Sequence, residues 1–303
     1  MNKIAIAVHG GASDNSPFLQ AHQEECKHGL AAAVAKGYTV LEKKGSALEA
    51  VQEAVLSLED NPLFNAGKGS ALNNRGEVEM DASIMDGETL QAGAVSMIRS
   101  VKNPILLARV IMEKTKHVFL SGYGALELAK KYGLALEPES YFIMPNQLEE
   151  YKRLNQIETL EDIQHKRMKG TVGAVALDYA GNLAAATSTG GLSNCLPGRI
   201  GDSCVIGAGC YANNNSCAVS GTGEGEFLIR EVVGHTIAMM VEAKMNVQDA
   251  CDYVIHKRNL LQGEMGVVSL NKHGDFGISF NTELMKRAWK SSTQEMQVKI
   301  YEE

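Results

Sequence analysis

The sequence lacks the features that mark several common classes of protein. No cluster of lysine and arginine is longer than two residues, and 29 basic residues face 36 acidic ones, for a net charge of −7. No apolar stretch approaches the roughly 18 residues that a membrane-spanning helix needs. We therefore expect neither nucleic acid nor a membrane among its partners.

Paired cysteines and a recognisable leader are missing as well. The six cysteines contain no C-x-x-C pair, and the eight histidines contain no H-E-x-x-H motif. The apolar run at residues 4–8 is shorter than the roughly 7–15 residues of a signal segment. The absence of paired cysteines and of a signal segment predicts reduced thiols and a cytoplasmic protein. The short apolar run itself predicts a buried first strand.

Two glycine-rich segments do not have the spacing of nucleotide-binding motifs. Segment 65–70 contains Gly-Lys, but Pro62 and Gly69 stand where a P-loop needs glycine and Ser/Thr. Segment 221–226 lacks the G-x-G-x-x-G spacing, and its two glutamates would repel a pyrophosphate. No G-x-S-x-G motif is present. Nucleotide binding and a serine nucleophile of that type are both disfavoured.

The composition is instead that of a folded α/β protein, with 45% hydrophobic residues, 21% charged residues and 30 glycines. The pattern V-x-L-[DN]-x-x-G-[ND]-[LF] occurs at 175–183 and again at 268–276, and each copy predicts a hairpin. Ser46 and Glu49 predict a capping box at the start of a helix that stops at Asp60. Further helices are expected near 18–43, 104–115, 122–131, 225–243 and 247–258. We therefore predict an α/β layered fold with antiparallel sheets and helices on their outer faces.

The segment 149–169 differs from the rest of the chain. Ten of its 21 residues are charged and none is glycine, which is typical of a solvated helix or a flexible linker. Gly170 follows, and an apolar strand of small residues begins at Thr171. A boundary between residues 170 and 171 is predicted, and on composition alone it is also compatible with a linker between two domains.

Threonines in small-residue surroundings suggest one kind of chemistry. Threonine becomes an effective nucleophile when its own α-amine acts as the base, and the ordinary pKa of that amine is about 7.7–8.0. Thr171, next to Gly170 and after a polar segment, stands where cleavage would expose such an amine. A Gly-Thr pair at the start of a structural strand is the plainer alternative.

A second polar group lies at Arg199 and Asp202. The planar guanidinium suits a carboxylate, and the aspartate three residues later suits an ammonium, so the pair would bind the two α-groups of an amino acid. An exposed loop ion pair of little energetic value is the alternative.

These residues belong to a series of motifs along nearly the whole chain: H-G-G-A at 9–12, L-F-N-A-G at 63–67, M-D-A-S at 80–83, G-T-V-G-A-V-A-L-D at 170–178, T-S-T-G-G at 187–191, P-G-R-I-G-D-S at 197–203 and G-A-G-C-Y-A at 207–212. The series resembles the plant-type L-asparaginase/isoaspartyl aminopeptidase family of N-terminal nucleophile hydrolases. The resemblance implies a single αββα four-layer domain over 1–303. It also implies autocleavage before Thr171 into an alpha subunit (1–170, with a flexible charged linker at 148–170) and a beta subunit (171–303).

The resemblance also assigns roles to individual residues. Thr171 matches the nucleophile, Thr189 its hydrogen-bonding neighbour, and Thr222 and Gly223 the donors of the oxyanion hole. Substrate binding falls to Arg199 and Asp202, with Thr222 and Gly223, and Gly225 borders the same pocket; Asn65 supports the site. No cofactor for catalysis is implied. A structural sodium ion is implied, bound by backbone carbonyls of Leu58, Glu59, Asn61, Phe64, Ala66 and Lys68.

The function implied is hydrolysis of β-aspartyl dipeptides and of L-asparagine, by a dimer of αβ protomers (a heterotetramer). Two alternatives stay open: a glycosylasparaginase-type amidase, and a non-catalytic protein that binds acidic amino acids. The sequence departs from the family pattern at Cys204, where many relatives have proline, and at Glu224 beside the oxyanion residues.

Overall fold

A computed structural model describes residues 3–156 and 170–302. In chain order the strands are β1 (Ala5–Ser13), β2 (Met80–Asp86), β3 (Ala92–Ile98), β4 (Phe119–Ser121), β5 (Val172–Leu177), β6 (Leu183–Thr189), β7 (Cys210–Ala212), β8 (Cys217–Gly223), β9 (Met265–Asn271), β10 (Phe276–Phe280), β11 (Leu284–Ser291) and β12 (Gln294–Lys299). They form two sheets. The larger has the order β12-β11-β1-β5-β6-β2-β3-β4, and the smaller the order β10-β9-β8-β7.

The described helices are α1 (Pro17–Ala21), α2 (Gln23–Glu42), α3 (Ala47–Glu59), α4 (Pro104–Lys114), α5 (Gly122–Lys131), α6 (Glu139–Phe142), α7 (Pro145–Leu154), α8 (Gly225–Glu231), α9 (Val233–Glu242) and α10 (Val247–Asp252). A single 3-10 turn covers Asp202–Cys204, and α10 continues into a π-helical turn at Tyr253–Arg258. Among these described helices, none combines the length and apolar character needed to cross a membrane.

Three hydrophobic cores separate four layers. The first lies between helices α2 to α5 and one face of the larger sheet. The second lies between the two sheets and is rich in alanine, which lets the sheets approach closely. The third joins the outer face of the smaller sheet to α8, α9 and α10. The predicted layered α/β fold, with helices outside two sheets, is confirmed.

Strand alternation decides which side chains enter the space between the sheets. On β5 the even-numbered Ala174 and Ala176 face the helices, and the odd-numbered Val175 and Leu177 face the second sheet. The same alternation runs along the neighbouring strands of the larger sheet. Residue 171, just before β5, therefore points into the space between the sheets.

Most of the predicted elements are present. Ser46 and Glu49 form the reciprocal capping box at the start of α3. Both predicted hairpins pair antiparallel, and each turns at a glycine with positive φ, Gly181 and Gly274. The predicted first strand is part of β1, and all six cysteines are buried free thiols.

Three predicted helices differ from the observed ones. The segment 18–43 is divided at His22, and 225–243 is divided at Val232, whose φ of 48° interrupts the helix. The last turn of 247–258 is π-helical. A β-branched residue is unfavourable in the left-handed region, so local propensity gives no signal for the break at Val232.

The charged segment falls into two parts. Helix α7 covers its beginning, so residues 148–154, which were assigned to a flexible linker, are helical. The remainder up to the predicted cleavage point, 157–169, lies outside the described residues.

Candidate active site

Three strands bring hydroxyl side chains to one end of the space between the sheets. Thr187 and Thr189 alternate on β6, and Ser220 and Thr222 alternate on β8, so each pair points in one direction. Thr171 precedes β5, which pairs with β6. The five side chains are buried: three threonines predicted from the sequence, together with Thr187 and Ser220.

The peptide carbonyl of Gly170 is held by two donors. The Asn65 side-chain amide donates to it at 2.8 Å, and the Thr189 hydroxyl donates at 3.1 Å. The Thr171 hydroxyl lies 3.3 Å from the Thr189 oxygen. The predicted nucleophile, its predicted neighbour and the predicted supporting residue therefore surround the one peptide bond at which cleavage is expected.

The His9 ring contacts Thr171 through a hydrogen bond to its backbone carbonyl. Nδ1 lies 3.1 Å from the Thr171 carbonyl oxygen, and Nε2 lies 2.8 Å from the Ser220 hydroxyl. Burial lowers the pKa of His9 to about 3, with a smaller contribution from the charge of Lys286. The ring is therefore neutral, and because a carbonyl only accepts, Nδ1 carries the proton.

The two predicted oxyanion residues end strand β8 at the same cleft. The Thr222 hydroxyl accepts the backbone N–H of Ala12 at 3.3 Å, and its own hydrogen has no acceptor among the described residues. Gly223 adopts a positive φ of 123°. The cleft is lined by Gly170, Thr171, Thr189, Gly191, Leu192, Arg199, Gly201, Asp202, Ser203 and Gly223. Gly223 thus lines the same cleft as the predicted nucleophile, and Thr222 precedes it on β8.

Arg199 lines this cleft, and its guanidinium is already paired with the side chain of Glu226. Its Nε and Nη2 donate to the two carboxylate oxygens of Glu226 at 2.9 and 2.8 Å. The arrangement is bidentate, which is the strongest way for an arginine to bind a carboxylate. Glu226 occupies the guanidinium edge that would otherwise be available to a ligand carboxylate.

Asp202 is buried beside Arg199, and its Oδ2 has no hydrogen-bond partner in the part of the chain described. Burial raises the pKa of Asp202 to about 7, against the opposing effect of Arg199. A ligand ammonium beside this carboxyl would favour the ionised form. Asp202 is therefore suited to the amine-binding role predicted for it.

Gly225 packs directly on these two residues. A Cβ placed there would lie 2.8 Å from Asp202 Oδ1 and 3.0 Å from Arg199 Nη2. Only glycine leaves both side chains where they are. The structure thus brings Arg199, Asp202 and Gly225 together, the arrangement that the family resemblance implied.

The predicted sodium loop begins in the last turn of α3, which contains Leu58 and Glu59, and continues beyond the helix. The Glu59 carbonyl accepts the Lys68 N–H at 2.7 Å, and the Phe64 carbonyl accepts the Ala66 N–H at 3.0 Å; each oxygen keeps a second lone pair. The Glu59 side chain is buried, and its Oε2 has no partner among the described atoms. Burial raises the pKa of Glu59 to about 8. This set of oxygens fits a hard cation in its chemistry.

Four residues of the site were not assigned roles from the sequence: His9, Thr187, Ser220 and Glu226. His9 belongs to the H-G-G-A motif, and Ser220 precedes Thr222 by two residues on one strand, so both gave a usable signal. The pairing of Glu226 with Arg199, which lies 27 residues away in the chain, left no signal in the sequence.

The side chain of Glu224, which the sequence placed beside the oxyanion residues, accepts the Glu264 N–H on its Oε2 at 3.0 Å.

Comparisons with known proteins agree with the family that the sequence motifs resemble. The family model described as Asparaginase matches residues 2–300. The isoaspartyl peptidase of Salmonella typhimurium is 42% identical, with full coverage of both chains. That of Escherichia coli is also 42% identical, over 100% of this chain and 98% of the relative. The isoaspartyl peptidase/L-asparaginase of Mus musculus is 43% identical over 90% of this chain and 83% of its own.

Replacing Gly225 tests the Arg199/Asp202 pair as an amino-acid clamp. We expect Gly225→Ala to weaken binding of L-aspartate at least tenfold in calorimetry, because its methyl group displaces both side chains. Gly124→Ala is the matched control, since a Cβ at Gly124 meets nothing within 4 Å. Equal affinities of the two variants would contradict the assignment.

The buried neutral His9 predicts a pH dependence of stability. Its pKa of about 3 in the folded state lies below the unfolded value of 6.5, so the unfolded chain binds more protons between these values. Stability is therefore lost as pH falls from about 6.5 toward 3, by up to about 1.4 kcal/mol per pH unit. Urea unfolding of His9→Asn should show a shallower loss than wild type, and the exposed His117→Asn should match wild type. If the free energy of unfolding fell equally with pH in all three proteins, His9 would make no such contribution.

Proposed function

The chain belongs to the asparaginase family, and we propose that this hydrolase cleaves β-aspartyl peptides and L-asparagine with Thr171 as its nucleophile. One observation carries the proposal. The Thr171 hydroxyl lies beside Thr189 in the cleft that Arg199 and Asp202 line, and the Gly170 carbonyl there accepts from Asn65 and Thr189. The 42% identity to two isoaspartyl peptidases over the whole chain supports the substrate class.

Maturation begins with attack of the Thr171 Oγ on the Gly170 carbonyl carbon. The oxyanion that forms is stabilised by the Asn65 amide and the Thr189 hydroxyl, the two donors already on this oxygen. The C–N bond breaks, the nitrogen takes the hydroxyl proton, and an ester remains. Breaking the C–N bond has already freed the α-amine of Thr171. Water then hydrolyses the ester, which releases the carboxylate of Gly170 and restores the Thr171 hydroxyl.

The mature site uses the same hydroxyl on the substrate. The Thr171 amine accepts the Oγ proton as Oγ attacks the side-chain carbonyl carbon of the β-aspartyl group. The Thr222 hydroxyl and the Gly223 N–H stabilise the negative oxygen. The amine returns the proton to the leaving ammonia or amino acid, and a β-aspartyl ester forms. Water, deprotonated by the same amine, then releases L-aspartate and restores the hydroxyl.

Recognition of the aspartyl group falls to the Arg199/Asp202 clamp. The substrate α-carboxylate replaces at least part of the Glu226 carboxylate on Arg199, and the α-ammonium lies beside Asp202. A substrate with both groups is required because either charge alone would leave the clamp unbalanced.

Cleavage leaves the two pieces in one domain. Strands β5 and β6 of the second piece pair with β1 and β2 of the first, so the larger sheet crosses the cut. We propose that two such αβ protomers form the working dimer, in the cytoplasm.

Mass spectrometry of the purified protein tests the maturation step. Wild type should give two fragments, the second beginning at Thr171, and Thr171→Ala should stay at about 32.6 kDa. Asn65→Ala should slow cleavage by about tenfold to a hundredfold because one oxyanion donor is lost. Asn155→Ala, at the end of α7, serves as the control. A wild-type chain that stays intact on long incubation would refute the mechanism.

Product analysis separates the proposal from its alternatives. The cleaved enzyme should release ammonia from L-asparagine and an amino acid from a β-aspartyl dipeptide, with aspartate in both cases. Aspartate from a glycosylated asparagine alone would indicate a glycosylasparaginase-type amidase. Binding of aspartate without turnover would indicate a binding protein.

We further propose that the loop from Leu58 to Lys68 binds a structural sodium ion through its backbone carbonyls, with no part in the chemical steps. Its support is the set of carbonyl oxygens and the unpartnered buried Glu59 Oε2 among the described residues. The melting temperature should rise by a few degrees in NaCl over choline chloride at equal ionic strength. Equal melting temperatures would contradict the sodium site.

A further inference from the structure

Alternate residues of one strand reach the loop that carries the clamp. Met80, Ala82 and Ile84 of β2 face the helices, so Asp81 and Ser83 face the opposite side, in line with Glu79 just before the strand. All three side chains make hydrogen bonds to residues 197–203, which we name the substrate loop.

These contacts are to the backbone of the loop and surround its two functional residues. Glu79 Oε2 accepts the Gly198 N–H at 2.9 Å, and Asp81 Oδ2 accepts the Gly201 N–H at 3.4 Å. The Ser83 hydroxyl donates to the Ser203 carbonyl at 2.6 Å. The first two bonds lie on either side of Arg199, and the second and third lie on either side of Asp202.

Asp81 is the central one of the three, and its side chain is buried. Its other oxygen, Oδ1, accepts the Met97 N–H at 2.9 Å. Met97 has a positive φ of 53° and lies in a bulge of β3, where the register with β2 shifts opposite Asp81. A single buried carboxylate therefore joins the bulge of one strand to the substrate loop.

The charges around the clamp agree with this arrangement. Asp81 acts electrostatically on Arg199 and on Asp202, so it contributes to the balance of charge at the clamp without contacting it directly. Two of the three bonds to the loop are made by carboxylates, which bind N–H groups more strongly than neutral acceptors do, and all three fall within residues 198–203. Loops that lack such bonds open locally at a lower cost in free energy than strands do.

We propose that Glu79, Asp81 and Ser83 are positioning residues for the substrate, which fix the loop so that Arg199 and Asp202 meet the α-carboxylate and α-ammonium together. The inference rests on the proposed function, since it assigns the clamp to an α-amino acid. It predicts that this row of side chains affects substrate affinity far more than the chemical step at Thr171.

The test uses the cleaved full-length enzyme with a β-aspartyl dipeptide. Asp81→Asn should raise KM about tenfold or more and change kcat by less than about threefold. Its single carbonyl oxygen satisfies only one of the two N–H groups, and its amide faces the other. Glu79→Gln and Ser83→Ala should each raise KM about twofold to fivefold. Asp86→Asn is the matched control, because Asp86 lies on the same strand and its carboxylate accepts from the Glu88 N–H and the Thr89 hydroxyl of its own turn.

A second background separates positioning from a general loss of structure. In Arg199→Lys, where the clamp is already impaired, adding Asp81→Asn should raise KM by less than about threefold, because both changes act through the same groups. A full, additive effect would overturn the inference. So would an Asp81→Asn enzyme with unchanged KM, or one with a fall in kcat as large as its rise in KM.

Failure of the proposed function would be visible separately. Calorimetry with L-aspartate measures the clamp without any turnover, and Asp81→Asn should weaken that binding by the same factor as it raises KM. A wild type that binds aspartate but hydrolyses neither substrate would refute the function, with the effect of Asp81→Asn on binding still deciding the inference. A wild type that binds no aspartate would refute both.

Discussion

The close approach of the two sheets at the end of β5 is the constraint on which the rest of the site depends. A Cβ at Gly173 would clash with the Ser220 hydroxyl and with the His9 ring. With glycine there, His9 can reach both the Thr171 carbonyl and Ser220, and the hydroxyls of β6 and β8 can face the same peptide bond. Alanines elsewhere between the sheets serve the same end, because larger side chains would hold the layers apart.

The charged groups around Arg199 are also closely balanced. Arg199 is held by Glu226 and lies near Asp202 and Asp81, so one cation is shared among three carboxyl groups in the absence of a ligand. Burial raises the pKa of Asp202 to about 7 and of Asp81 to about 6. An amino acid that brings one carboxylate and one ammonium adds no net charge to this group. A ligand with only one of them does.

Much of the site could be predicted because the motifs of this chain resemble those of one enzyme family along nearly its whole length. Thr171, Thr189, Arg199, Asp202 and Gly225 lie together as the motifs indicated, and the role of each stays a prediction. The Glu226 pairing and the anchoring by Glu79 and Asp81 could not be predicted from the sequence, because those bonds join elements far apart in the chain. The break at Val232 could not be predicted either, since local propensity opposes it.

By itself the sequence determined the layers, the capped helix at Ser46 and the two hairpins, because these follow from periodicity and from local turn chemistry. The list of reactive residues followed from the motifs and the family they resemble. Only the tertiary structure decided which donors hold the Gly170 carbonyl and how far the clamp is already occupied. Hydrogen bonds and charges act over a few ångströms in space, whatever the separation in the chain. Distances of that kind are set only when the two sheets pack.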